Sequence, residues 1–344
     1  MADDVSTVAD DRLIEAGIVK KVLTRPEFGS IIGAIAVFAF FSAVTENFFS
    51  VNAVSAYLNP AATLGIMAVS VALLMIGGEF DLSSGALIGG LGITMAILTT
   101  SAGLPVWLAM LLALALAVSV GLFNGIMVVK TKLPSFIVTL GTFFIIQGAG
   151  LGFVRLITGQ TTILLSDELA NSDIAKLLFA STPVAGIRIP VYFWFAITAL
   201  ATYLLLRTRY GNWIFSVGGN AASARAVGVP VNRLKIALFI NVSVSAWLVA
   251  MFNTFRFESA QIGTGVGSEF EFIIAAVIGG TLLTGGYGSA IGASIGALIF
   301  EMVRQGLAFA RWEADWFKLF LGVMLLLAAL LNAWVRTRAQ RAMS

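Results

Sequence analysis

The apolar positions of this chain come in runs far longer than a globular core needs. Leu82 to Val129 carries no charge over 48 positions, and Asn47 to Gly78 none over 32. About 20 apolar residues cross a bilayer as one helix, so these runs hold several crossings. Spans are expected at 29–45, 60–77, 84–100, 105–129, 134–157, 189–206, 236–257, 270–284, 289–309 and 316–335. Pro60, Pro105, Pro134 and Pro190 each fall near the start of a span, where a missing amide hydrogen costs little. The expected fold class is therefore all-α: a polytopic membrane protein with about ten transmembrane helices. One domain, 29–335, fills the membrane.

The polar intervals orient the spans. Residues 1–28 carry Asp3, Asp4, Asp10 and Asp11, then Arg12, Lys20, Lys21 and Arg25, with no apolar core of a cleaved signal. They read as a cytoplasmic tail, and 336–344 as a second one. Together with 130–133 and 207–235, these tails hold 14 of the 21 Lys and Arg, a bias that puts all four intervals on the cytoplasmic side. Interval 158–188 then lies outside, with Asp167, Glu168 and Asp173 able to support a short surface helix.

Loop 207–235 is the densest basic stretch: Arg207, Arg209, Arg225, Arg233 and Lys235, with no acid among them. Its centre is Ala-rich. Asn220 suits an N-cap and Gly228 a C-terminal stop, so a short helix is expected between them. Such a helix is either a handle for a cytoplasmic partner or a basic loop that only fixes topology.

Composition narrows the chemistry. Hydrophobic residues make up 59% of the chain and charged ones 11%. The absence of Cys removes disulfides and thiol nucleophiles, and the absence of His removes imidazole metal ligands and His-dependent serine catalysis. Two stretches, GGEFDLSSGALIGG (77–90) and GGTLLTGGYGSAIGAS (279–294), share a Gly-Gly pair, a turn and a small-residue helix start. This pattern is either an internal repeat of broken helices or chance among Gly-rich spans. Gly288, Gly292 and Gly296 recur every four residues, as do Gly85 with Gly89 and Gly121 with Gly125, spacings that allow close helix packing.

Carboxylates at membrane depth are costly, so each asks for a role. Asp81, before Ser83 and Ser84, suits the N-terminus of the next helix, while Glu79 is the better candidate for a pathway or gate. Glu301 and Arg304 stand one turn apart and should neutralise each other. Glu258, Gln261, Glu269 and Glu271 bracket a Gly-rich outer connection that could meet a polar solute or a soluble partner. Asn124, Thr139, Thr142 and Gln147 suit hydroxyl-rich solutes or hydrogen bonds between helices. The candidate pathway set is thus Glu79, Asp81, Asn124, Thr139, Thr142, Gln147, Gln261 and Glu269.

Five blocks in order resemble the permease family of bacterial ABC importers for simple sugars, the ribose/xylose type. They are GEFDLSSG (78–85), GLFNGIMVVKTKLPSFIVTLGT (121–142), QGAGLGFVRLITGQ (147–160), GGNAASARAVGV (218–229) and SAQIGTGVGSEFEFIIAAVIGGTLLTGGYGS (259–289). The chain departs from the family at Ala221-Ala222, where Pro-Glu is common, and at Glu79, where a Gly is common. The resemblance implies an ABC importer permease fold in the bacterial inner membrane, paired with a second permease copy or paralogue. It also implies a cytoplasmic ABC ATPase, an extracytoplasmic sugar-binding protein and no nucleic-acid partner. No cofactor of its own is expected, ATP and magnesium being used by the partner subunits. Gly218, Gly219, Asn220, Ala224, Arg225 and Gly228 would form the ATPase-coupling loop. A secondary transporter or channel, and less readily an intramembrane enzyme, are the rival classes.

Overall fold

The computed structural model describes residues 26–165, 173–184, 186–313 and 315–341. The expected tail 1–28 therefore lies almost wholly outside the described residues, as do Asp167 and Glu168. The helices are α1 (Pro26–Val44), α2 (Val51–Ile76), α3 (Ser84–Thr100), α4 (Val106–Thr131), α5 (Ser135–Thr158), α6 (Asp173–Phe179), α7 (Ile189–Arg207), α8 (Arg209–Gly219), α9 (Ala221–Ala226), α10 (Val231–Phe257), α11 (Ser268–Ile278), α12 (Ala290–Phe309) and α13 (Asp315–Arg341). A two-stranded antiparallel ribbon, β1 (Thr162–Leu164) with β2 (Ser259–Gln261), pairs Ile163 with Ala260. Among the described residues, seven helices are long and apolar enough to cross a membrane: α1, α2, α4, α5, α7, α10 and α12. The chain is an all-α polytopic membrane protein.

Helix α2 is the axis. From Ala61 to Gly77 only Thr63 is not buried, the pattern of a helix apolar all round and surrounded by others. Its neighbours are α12, α7, α10 and α11. Lipid offers no hydrophobic drive between helices, so the contacts depend on small residues that let large ones in. At Gly65 a Cβ would strike the Trp194 indole of α7, and at Gly121 and Gly125 of α4 it would meet the α10 backbone at Ile240 and Ile236. The Gly121–Gly125 face of α4 packs on α10.

The structure redraws three boundaries. Helix α2 starts nine residues before the expected 60, because Ser50 caps it by accepting the Ala53 amide at 3.2 Å. Pro60 thus lies inside a helix rather than at its start. The span expected at 270–284 is only the eleven residues of α11. At 1.5 Å per residue it rises about 16 Å, half the hydrocarbon thickness. At the other end of the chain, α13 runs through the expected tail to Arg341.

Helices α2 and α11 stop in the same way. Gly78 and Gly280 both take positive φ, +85° and +91°. The Gly78 and Glu79 amides donate back to Met75 (2.9 Å) and Leu74 (3.1 Å), and those of Gly280 and Thr281 to Val277 (2.9 Å) and Ala276 (3.0 Å). Each is a Schellman stop on an Ile-Gly-Gly sequence. The two Gly-rich stretches therefore share a helix stop as well as similar strings.

Candidate functional site

Three glycine pairs converge at the end of the bundle that carries Lys130, Lys132 and Arg225. Gly218, the penultimate residue of α8, lies so close to α2 that a Cβ there would strike the Ile76 carbonyl and approach the Gly286 amide to 2.6 Å. A Cβ on Gly285 would meet Gly78 at 2.9 Å, and one on Gly286 would meet Gly219 at 2.9 Å. The Gly286 amide donates to the Ile76 carbonyl at 2.8 Å. Only backbone separates the α8–α9 pair from the two breaks.

The basic loop folds as two helices. Helix α9 forms as expected, with the Asn220 side chain accepting the Ser223 amide at 2.9 Å and Gly228 at φ +86° just past its end. Ala224 is a correction: expected on the surface offered to a partner, it is buried against the bundle. The exposed face is Ala222, Ser223, Arg225, Ala226 and Val227, with Val227 80% exposed. Helix α8 was not expected. Its signals were Thr208, which accepts the Gly211 amide at 3.4 Å, and the buried series Gly211, Ile214, Val217. On its other side Arg209 sits over the Tyr210 and Trp213 rings, at 5.2 and 5.5 Å, the residue set of a membrane–water interface.

The break after α2 climbs along α5. The Phe80 amide donates to the Ser135 hydroxyl (3.0 Å) and the Leu82 amide to the Thr139 hydroxyl (3.0 Å). One turn further along, Thr142 donates to the Asn124 carbonyl oxygen at 2.6 Å, and the Asn124 amide donates to the Ser83 hydroxyl at 3.0 Å. Non-helical backbone survives at membrane depth only where protein satisfies it, and here α5 does so. Helix α3 consequently begins inside the bundle, with Ser83, Ser84 and Gly85 all buried. Asp81 is not its N-cap. Ser83 holds that place, and Asp81 instead accepts the Ser83 amide (2.8 Å) and hydroxyl (2.6 Å).

Glu269 approaches the same helix start from the opposite side. Its carboxylate lies where a Gly85 Cβ would be and accepts the Gly267 amide at 3.0 Å. Two buried carboxylates, Asp81 and Glu269, thus flank the positive end of α3, where the helix dipole favours them. Asp81, Asn124, Thr139, Thr142 and Glu269 are brought together here. Glu79 is drawn away by an ion pair with Lys235 at the start of α10. Gln147 is half-buried and outside this network, and Gln261 lies on the β2 ribbon at the other end.

The remaining candidates are structural. A Cβ on Gly292 would strike the Gly279 carbonyl and one on Gly296 the Ala275 carbonyl, so α12 lies directly on α11. Gly288 does not continue that stripe. It precedes the helix and makes room for Ile76. Arg304 pairs with Glu301 at 2.9 Å as expected and also with Glu271 at 2.6 Å. Among the described residues there is no cluster of three acidic side chains that could hold a metal ion.

A bundle of apolar helices whose breaks are held inside it and touched by a basic helix pair defines a multi-pass membrane permease. The chain belongs to the family described as the branched-chain amino acid transport system / permease component, whose profile matches residues 53–329. It is 31% identical to the ribose import permease protein RbsC of Escherichia coli K12, over 88% of this chain and 92% of that one. It is 30% identical to the probable ABC transporter permease protein YphD of the same organism, over 92% of each chain. Identity to that organism's xylose transport system permease protein XylH is 28%, over 93% of this chain and 94% of that one. No solved structure matches the chain.

Proposed function

We propose that this chain is the membrane-spanning subunit of an ATP-binding cassette importer in the bacterial inner membrane, carrying a monosaccharide or related polyol inward. The relatives named for ribose and xylose supply the solute class. The subunit works beside a second copy or a close paralogue, receives solute from an extracytoplasmic binding protein, and keeps both termini in the cytoplasm. ATP and magnesium are used by separate subunits that dock on the exposed face of α9.

One observation carries the reading: Gly218 and Gly219 rest on the backbone of Gly78, Gly285 and Gly286. Movement imposed on α9 from outside the membrane reaches both helix breaks through that contact, without flexible side chains between. Two arrangements of the breaks, biased by the ATPase, give alternating access. Ala222 and Ala226 allow a close approach. Arg225, whose guanidinium donates to Asn232 at 3.0 Å, keeps further donors for a partner carboxylate.

The test uses the full chain co-expressed with its ATPase. Arg225→Glu and Val227→Glu should insert normally, lose co-purification of the ATPase and lose sugar uptake in proteoliposomes. Gly218→Leu should keep the ATPase bound and hydrolysing while uptake falls. Parental binding and uptake in all three variants would rule out α9 as the docking element.

A further inference from the structure

Between the β1–β2 ribbon, α3 and α10 lies a cavity of about 370 Å³, within the ~300–1,000 Å³ of small-molecule pockets. Gly89 and Gly92 form its floor. A Cβ on Gly89 would strike the Ile262 carbonyl, and one on Gly92 would come within 2.8 Å of the Thr254 hydroxyl. These glycines therefore set how near the ribbon and its loop come to α3.

Six polar side chains line the cavity: Thr162, Asn253, Thr254, Ser259, Gln261 and Thr264. All are uncharged. None of the six makes a side-chain hydrogen bond to another described residue. Elsewhere in the bundle some such groups are spent on neighbours, as Ser70 with Ser245 at 2.6 Å and Thr142 with Asn124 at 2.6 Å, while others, such as Ser243 and Thr281, are unpaired but buried singly; here six line one recess. Unspent donors and acceptors in a recess are satisfied by water or by a ligand that replaces it. The half-exposed Phe257 ring adds an apolar face. The nearby charges lie outside the lining: the Arg256 guanidinium sits over Phe257 at 4.7 Å and borders an adjoining recess beyond Asn253, and Glu258 pairs with Lys176 at 2.6 Å.

We infer that this cavity is an outer binding station for the transported solute, built for a neutral, hydroxyl-rich molecule and against a zwitterion. The inference rests on the transport reading above and adds the place and the selection rule. A free amino acid brings an ammonium and a carboxylate, and the lining offers neither a counter-charge, so desolvating it there goes uncompensated. A sugar or polyol brings several hydroxyls, each of which can both donate and accept to the free amides and hydroxyls. The family description names amino acids and the relatives above name sugars, and the lining favours the second.

The chain has no Cys, so Asn253→Cys and Gln261→Cys each give one thiol in the full chain, with Ser223→Cys on α9 as a distant control. Labelling by a water-soluble maleimide is followed with D-ribose, D-xylose, D-fructose, ribitol or L-leucine present. At least one sugar or polyol should slow labelling of both cavity thiols about tenfold, while L-leucine and the control show no effect. Protection by L-leucine, or by no probe, overturns the inference. ATP-dependent uptake of a probe that protects neither thiol would also remove the cavity and leave the transport reading standing. Protection of both thiols by a probe for which no ATP-dependent uptake is found would keep the cavity as a site for neutral, hydroxyl-rich molecules and overturn its part in transport. Where uptake is measured, Asn253→Leu and Gln261→Leu should each raise the half-saturating concentration about tenfold, the worth of one or two hydrogen bonds.

Discussion

Glu79 and Lys235 are fixed to each other across 156 residues of sequence, and both side chains are at least four-fifths buried. Removing one partner leaves an uncompensated charge in a poorly solvated place, which costs about 3–5 kcal/mol. Glu79→Met and Lys235→Met should each lower the unfolding temperature of the detergent-solubilised protein, and the double variant should recover most of the loss. Additive losses would show that the two do not act as a pair. Neighbouring glycines should separate just as clearly. A Cβ on Gly218 strikes the Ile76 carbonyl, whereas one on Gly219 meets nothing within 4 Å. Gly218→Ala should therefore impair uptake severely and Gly219→Ala leave it near the parental level. From the sequence, Glu79 stood out as a carboxylate without a structural role, but its partner did not. Lys235 reads as one more charge in a basic loop until the fold brings α10 against the break.

At the scale of elements, the spans with caps or prolines at their starts were legible: Pro105, Pro134 and Pro190 all stand at helix starts. What escaped were elements whose signal lies in tertiary contact. The β1–β2 ribbon joins strands of three residues each, too short to show alternation. Helix α8 was masked by its two terminal glycines, which read as loop and in fact provide close contact. Helix α11 looked like a full span because the residues after it are apolar, although Gly279-Gly280 already ends it. That stop is testable. An L side chain in the left-handed region costs about 1–2 kcal/mol, so Gly280→Ala, at φ +91°, should destabilise by that amount in thermal unfolding. Gly292→Leu, aimed at the Gly279 carbonyl, should prevent α12 from closing on α11. It should therefore lower the yield of assembled protein far more than it alters solute choice.

For the whole molecule, the basic loop and the start of α7 mark opposite ends of one crossing. Single thiols at Ser223 and Thr182, both exposed, should react with an impermeant reagent from opposite faces of oriented vesicles, Ser223 from the cytoplasmic one. Reaction of both from one face would break the proposed topology. The amino-acid order also imposes a timetable on biogenesis. Phe80 and Leu82 find their acceptors on residues 55 and 57 positions further along. At ~5–20 residues per second, a ribosome takes about 3–11 seconds to make that stretch. During this interval the Phe80 and Leu82 amides, in the break before α3, have no protein partner, and hydrocarbon cannot supply one. The nascent segment therefore has to stay hydrated, in the insertion machinery or at its lateral opening, until α5 emerges. Helix α3 then settles only when α5 arrives, and with a ribosome stalled shortly before Ser135 a cysteine introduced into α3 should still react with a water-soluble maleimide.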